Sequence, residues 1–419
     1  MSAATLKRVQ YSTEVIAWQI NPADLGDAEV VHYSIPALQE TGRPAIEPAN
    51  EIASNKWSLR GGEVLVSKLN VHKNCVAIVE RHDDLPLVSS TEFVPFVPTG
   101  IEPRYLKYVF QSEETIQHLM SFSESATRSH ARVNPSDIIK LKVHQPDLGV
   151  QESIANYLDR EIARIDGLIA EKGRMLALLE EKRAALISRV VTCGLDPNAP
   201  LKPSGQEWLG EIPAHWRVER AKNLFTVRDE RSDDGSEELL TVSHITGVTS
   251  RSEKDVYMFE ADDKAGYKRC MPGDLAINTL WAWMGAMGIS PLAGIVSPDY
   301  HVYTSKGELL PEYVDLLCRS RPFVAEVSRW SKGVWSSRLR LYPENFFEMR
   351  LPVPPHDEQA AIVRAVEVDQ RKANALRESL QLSITLAKER RSALITAAVT
   401  GQLSIQEVNL NESGHHGAR

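Results

Sequence analysis

The sequence predicts an α/β protein of the α+β kind: two similar globular domains separated by two long helices that form an antiparallel coiled coil. Three observations predict it. Residues 103–195 recur without a gap at 311–403, so that Glu181-Lys182-Arg183-Ala184-Ala185-Leu186-Ile187 aligns with Glu389-Arg390-Arg391-Ser392-Ala393-Leu394-Ile395. A repeat this long in only two copies is a duplicated domain with its connector rather than a solenoid. The later part of each copy carries an apolar heptad stripe, and the region before each copy carries short β-branched runs bounded by glycine.

A chain of 419 residues, 42% of them hydrophobic, exceeds one ordinary core and fits two domains with accessory helices. No apolar run is long enough for a membrane span, and Met1 to Gln10 lacks the build of a signal peptide, so a soluble cytoplasmic protein is expected. Cys75, Cys193, Cys270 and Cys318 lie far apart with no Cys-x-x-Cys spacing, which argues against a zinc site and a disulfide framework. The formal charge of −8 is unfavourable for a nucleic-acid reader. Its distribution is not uniform: Arg319, Arg321, Arg329, Lys332, Arg338 and Arg340 stand against the single acid Glu326 and form a candidate basic patch, with a solvated helix face as the alternative.

In chain order, residues 1–146 form the first globular domain, with a strand signal at Gly61 to Leu69 and a helix signal after Pro103 at Tyr105, Leu106 and Val109. The first long helix, 147–194, starts after Pro146 and stops at Cys193-Gly194. Its stripe runs Leu158, Ile162, Ile165, Ile169, Leu176, Leu179, Leu186 and Val190. A Pro-rich linker, 195–207, leads to the second domain, 208–353, where Gly273 to Leu280 and Tyr313, Val314 and Leu317 repeat the earlier signals. The second long helix, 354–403, follows Pro354-Pro355 and ends at Thr400-Gly401. Its stripe is Val366, Ala373, Leu380, Ile384, Ala387, Leu394 and Ala398, interrupted by Gln370, Arg377 and Arg391. The smaller residues allow close approach. Each helix of about 45 residues spans roughly 65 Å, and neither stripe is stable in water, so the two are expected to bury each other, antiparallel; the alternative packs each helix on its own domain. Residues 404–419 are expected to be a disordered tail.

Three segments carry a family resemblance: Leu209-Gly210-Glu211-Ile212-Pro213-Ala214-His215-Trp216; Gly62 to Lys73, with its Val66-Ser67-Lys68-Leu69-Asn70 core; and Leu351-Pro352-Val353-Pro354-Pro355-His356-Asp357-Glu358-Gln359 leading into a long helix. In this order, around two heptad helices, the chain closely resembles the specificity (S) subunit of type I restriction-modification enzymes along essentially its whole length. The first copy departs from the pattern: Lys142-Val143-His144-Gln145-Pro146-Asp147 replaces the Pro-rich exit, and no Ile-Pro-x-His-Trp segment precedes it.

The resemblance implies a non-catalytic subunit with two target recognition domains, each reading one half of a split site on double-stranded DNA, and a coiled coil that fixes the unread spacer. It implies two methyltransferase (M) subunits docked on the helices and domains, restriction (R) subunits in the full complex, and no cofactor on this chain, since S-adenosylmethionine, ATP and Mg²⁺ would belong to the partners. The residues agree: Val353-Pro354-Pro355-His356 has the wrong flanks for an adenine methyltransferase motif, and no phosphate loop or metal-ligand spacing occurs. His415-His416 reads as tail.

Base reading needs donors and acceptors for groove edges, and cations for phosphates. The matched loops offer Ser67, Lys68, Asn70, His72 and Lys73, with Thr127, Arg128, His130 and Arg132, in the first domain. In the second they offer Asn278, Thr279 and Trp281, with Lys332, Trp335, Ser336, Ser337, Arg338 and Arg340. Trp281 and Trp283 read equally as packing residues, and Ser336 and Ser337 as turn caps. Two other classes remain open, a coiled-coil scaffold that binds proteins without DNA specificity and a single-chain nuclease with a divergent site.

Overall fold

The computed structural model describes residues 6–123, 131–253, 263–333 and 339–403. It divides into two compact units, Met1–Gly173 with Gln381–Arg419, and Arg174–Leu380. Each unit therefore holds one lobe together with part of both long helices.

In the first unit, Leu6–Arg8 pairs with Lys142–His144 and closes the lobe's entrance on its exit. An antiparallel four-stranded sheet follows in the order Thr13–Val15, Phe93–Pro98, Val64–Ser67, Val76–Ile78. Val64, Leu65 and Val66 are all buried, as a continuous β-branched and leucine run requires when both faces are covered. The helix Pro103–Gln111 starts with Pro103 in its first turn and the Glu102 carboxylate accepting from the Tyr105 N–H at 2.6 Å. A five-stranded sheet adds Gln19–Ile20, Lys56–Leu59, Leu87–Ser90, Glu29–Tyr33 and Ala45–Pro48.

The second unit repeats the frame. Arg217–Arg220 pairs with Arg350–Val353, and a sheet runs Phe225–Val227, Tyr300–Ser305, Leu275–Asn278, Met287–Ile289. The helices Pro311–Arg319 and Arg321–Trp330 correspond to Pro103–Gln111 and Glu113–Ser121. The insert differs. In place of the five-stranded sheet stand two strand pairs, Leu240–Ser243 with Gly247–Ser250 and Lys268–Cys270 with Gly294–Val296. The Pro-rich linker is folded, because Leu201–Pro203 pairs with Glu211–Pro213.

The long helices run Leu148–Cys193 and His356–Val399. In the first unit, Ile154, Tyr157, Leu158 and Ile162 from the start of one share a core with Ile395, Ala398 and Val399 from the end of the other. In the second, Ile187, Val190 and Val191 meet Ile362 and Val366. Beginning meets end in both units, so the pairing is antiparallel. Two arginines that interrupt the second stripe are ion-paired to the first helix: Arg391 Nε donates to Asp166 at 2.9 Å in the first unit, and Arg377 pairs with Glu180 in the second.

The anchors of these helices are duplicated residue for residue. The Tyr105 hydroxyl donates to Val399 O at 3.2 Å and to His144 O at 2.8 Å, and the Tyr313 hydroxyl donates to Val191 O at 3.1 Å. Gln151 accepts from Glu102 N and donates to Pro146 O; Gln359 accepts from Leu310 N and donates to Pro354 O. Each tyrosine thus holds the last turn of the helix that comes from the other repeat, and each glutamine holds the first turn of its own. Trp216, fully buried, donates to Glu358 at 2.9 Å, and His215 contacts the same carboxylate at 2.8 Å. Val150 occupies the matching place in the first copy, so a His-Trp pair there would find no carboxylate. Gly194, at φ +74, ends the first helix where a Cβ would meet Glu358 and Trp216.

Tyr105→Phe and Tyr313→Phe are each expected to lower the unfolding free energy by about 1–3 kcal/mol, since each strips a buried carbonyl of its donor. The two losses should add, because the sites lie in different units. Urea denaturation of the full chain checks both; a double variant no weaker than either single one would contradict the paired anchoring.

Candidate nucleic-acid interface

The loops chosen from the sequence leave the sheet at equivalent points. In the first lobe, Ser67 is buried at the strand end, and its hydroxyl donates to Leu69 O at 2.8 Å and accepts from Leu69 N at 3.2 Å. Asn70 adopts the left-handed conformation (φ 52), which asparagine tolerates, and its side chain accepts from Ala131 N at 3.2 Å. Val133 N donates to Lys68 O at 2.9 Å, so the strand loop and the segment before Pro135 are one surface. Buried Val71 anchors the short turn Val71–Lys73, which leaves His72 and Lys73 exposed; Lys68 is half-buried. Arg132 is exposed and pairs with Glu92 at 2.8 Å. Thr127, Arg128 and His130 lie outside the described residues.

In the second lobe the same seam forms through Leu341 N donating to Thr279 O at 3.3 Å, the counterpart of Val133 to Lys68. Asn278 and Thr279 are buried. The Asn278 amide donates to the Tyr300 hydroxyl at 3.0 Å and to Val242 O at 3.3 Å and accepts from Leu280 N, while the Thr279 hydroxyl donates to Asp299 O. Ser67, Asn278 and Thr279 therefore shape their loops from inside, and their side chains are not offered to a groove. Trp281 is 51% exposed. Its ring lies parallel to Trp283, centroids 6.4 Å apart at 17°, and Trp283 Nε1 donates to Leu280 O at 3.1 Å. Lys332 and Arg340 are exposed and exchange two backbone hydrogen bonds of 2.9 Å. Trp335, Ser336, Ser337 and Arg338 lie outside the described residues.

The basic stretch from Arg319 to Arg340 is thinner than its sequence. Arg329 makes two hydrogen bonds of 2.7 Å to Glu326, whose side chain is 3% exposed and also accepts from Trp330 Nε1. Arg319 pairs with Asp315 at 3.3 Å. Arg321, Lys332 and Arg340 are exposed and have no ion pair among the described residues. Arg321 also lines a hollow of about 500 Å³ with Trp283, Met284 and Arg319. Tyr300 and Lys268, which brace the Asn278 loop, were not legible in the sequence. Lys268 is buried and donates to Tyr300 O at 2.6 Å, but nothing in its strand sequence marks it as a support for a distant loop.

Among the described residues no group of three or more His, Cys, Asp or Glu is placed to hold a metal ion, and no helix is long and apolar enough to cross a membrane. No protein-family model and no curated sequence matches the chain. Solved structures do share its fold. A chain from a study of complex assembly and conformational transition of the type I R-M system superposes with a TM-score of 0.71 at 16% identity, covering 96% of this chain and 99% of that one. The HsdS subunit from Thermoanaerobacter tengcongensis gives a TM-score of 0.52 at 16% identity, covering 96% and 98%.

Beside the loop support, burial and then the nearby Lys268 charge depress His301 to about 4. The unfolded chain therefore takes up this proton near its ordinary value of 6.5, whereas the folded chain resists it until about 4. Stability contributed here is complete above pH 6.5 and declines as pH falls towards 4. His301→Gln, which keeps an acceptor but no titration, is expected to flatten the fall of the urea midpoint over that window. An unchanged slope would contradict the assignment.

Proposed function

We propose that this chain, which has the fold of type I restriction-modification specificity subunits, is the DNA-reading subunit of such a system, with each lobe reading one half of a split site. The observation that carries the reading is a matched frame with unmatched side chains. The seam between Val133 and Lys68 recurs between Leu341 and Thr279, yet Asn70, His72 and Lys73 face Trp281, Trp283 and Met284 across the repeat. Equal scaffolds with different tips are what two different half-sites call for. Exposed cations at Lys73, Arg321, Lys332 and Arg340 supply phosphate contacts without sequence preference.

In this reading the long helices set the unread spacer, and the chain performs no chemistry itself. Two methyltransferase subunits would bind S-adenosylmethionine and methylate adenine, and restriction subunits would bring ATP and Mg²⁺, all in the cytoplasm. A second run of apolar residues supports docking on the helices: Leu168, Met175, Leu178, Val368, Leu376, Leu382 and Leu386 are exposed outside the shared stripe. A protein-binding scaffold would use the same helices but has no need of two differing loops.

Selection from random duplexes by the chain with its methyltransferase subunits is expected to recover a two-part motif with a fixed gap. Recovery of no such motif would favour the scaffold. Arg338→Ala should relax one half-site by about 1–3 kcal/mol of discrimination if it pairs with guanine, and leave the other intact. Equal loss at both would make its role structural. Removing two heptads from both helices together should change the gap, and an unaltered gap would refute the spacer mechanism.

A further inference from the structure

Position by position, the second lobe replaces a polar and basic loop with an aromatic one. On the reading proposed above, we infer that the second lobe reads its half-site by stacking the Trp281 indole on a base that it unstacks from the duplex, while the first lobe reads its half-site without such distortion.

Trp281 is half exposed although Ala282, next in the chain, is fully buried. The lobe has room for a buried indole, as Trp216 shows, so exposure at this position is not forced by size. The turn that carries Trp281 is also fixed. The Trp281 backbone N–H donates to Asn278 O at 3.1 Å, its carbonyl accepts from Met284 and Ala286, and its ring plane lies against Trp283, itself fixed to Leu280 O. Gly285, at φ +91, closes the turn where a side chain would be strained and would press on Val324. A rigid aromatic surface loses little side-chain freedom on binding.

Charge identifies the occupant. The helix Arg321–Trp330 packs on the turn Ala282–Met284, and the Thr279–Leu341 bond brings the bridged pair Lys332 and Arg340 to the same loop. Arg321, Lys332 and Arg340 lack ion pairs among the described residues. An apolar wedge bordered by exposed cations fits an unstacked base between phosphates. The core of a protein interface is instead depleted of charge. The first lobe presents exposed His72 and Lys73 at the corresponding turn, with no ring larger than imidazole.

The test uses the full chain assembled with its methyltransferase subunits on duplexes bearing its own split motif, with 2-aminopurine substituted at one position at a time. Fluorescence should rise several-fold on binding when the probe neighbours the displaced base in one half-site, because that neighbour loses its stacking partner while the base on the indole stays quenched, and it should rise nowhere in the other. Trp281→Ala should abolish the rise and weaken binding roughly 5- to 150-fold, without changing the slope of log K against log salt, since no phosphate contact is lost. Trp281→Phe should retain part of the signal, which separates stacking from misfolding. A wild-type complex that binds its motif with no rise in either half-site overturns the inference and leaves the DNA-reading proposal standing. A rise that survives Trp281→Ala overturns it too, as does a variant that loses only its methyltransferase subunits, which would make the indole a protein contact. Failure to select any split motif would instead refute the underlying reading.

Discussion

Each lobe is closed by a helix end that the other repeat supplies. Tyr105 reaches from the first repeat to Val399 of the second, and Tyr313 from the second to Val191 of the first. Around these bonds the same exchange is made in apolar contacts, with Ile395, Ala398 and Val399 inside one core and Ile187, Val190 and Val191 inside the other. Burying three such side chains contributes several kcal/mol in each unit, far more than the exposed pairs Arg391–Asp166 and Arg377–Glu180. Neither lobe is complete from its own repeat. This dependence explains why duplication and antiparallel pairing occur together: a parallel pair would bring the wrong helix end to each tyrosine.

The frame was legible because it rests on signals that act locally or periodically. Proline and glycine bounded both helices to within a few residues, and the alternation of apolar positions identified the inward face, buried at Leu158, Ile162, Ile165, Val190, Val366, Ala373, Leu380 and Ala398 and half-buried between. The breaks in that stripe were not noise. Arg377 and Arg391 sit at its edge, where a long side chain can cross to a carboxylate. The strand within the Pro-rich linker was not legible, since the same residues suit a connector as well as a short strand pairing after a turn at Gly205.

The matched strand ends and their loops were legible in the sequence; which of their side chains turn outward was not. Short polar residues at a strand end serve equally to face a groove or to fold the next turn, and composition does not separate the two. Burial does: Ser67, Asn278 and Thr279 bond inward, while His72, Lys73, Trp281, Lys332 and Arg340 face out. Arg329 is held by Glu326, a buried acid that only the helix geometry brings beneath it. The inserts, a five-stranded sheet in one lobe and two strand pairs in the other, fall where the repeat fades, so divergence is concentrated beside the loops and the frame stays fixed.

Sequencing that detects modified bases, applied to host DNA with this chain and its partners present and again without them, separates a reader of two half-sites from a scaffold. Two lobes held by paired helices should give methylated adenines in a two-part motif with one constant gap, absent when the chain is removed. A continuous motif, a variable gap or methylation indifferent to the chain would contradict that arrangement.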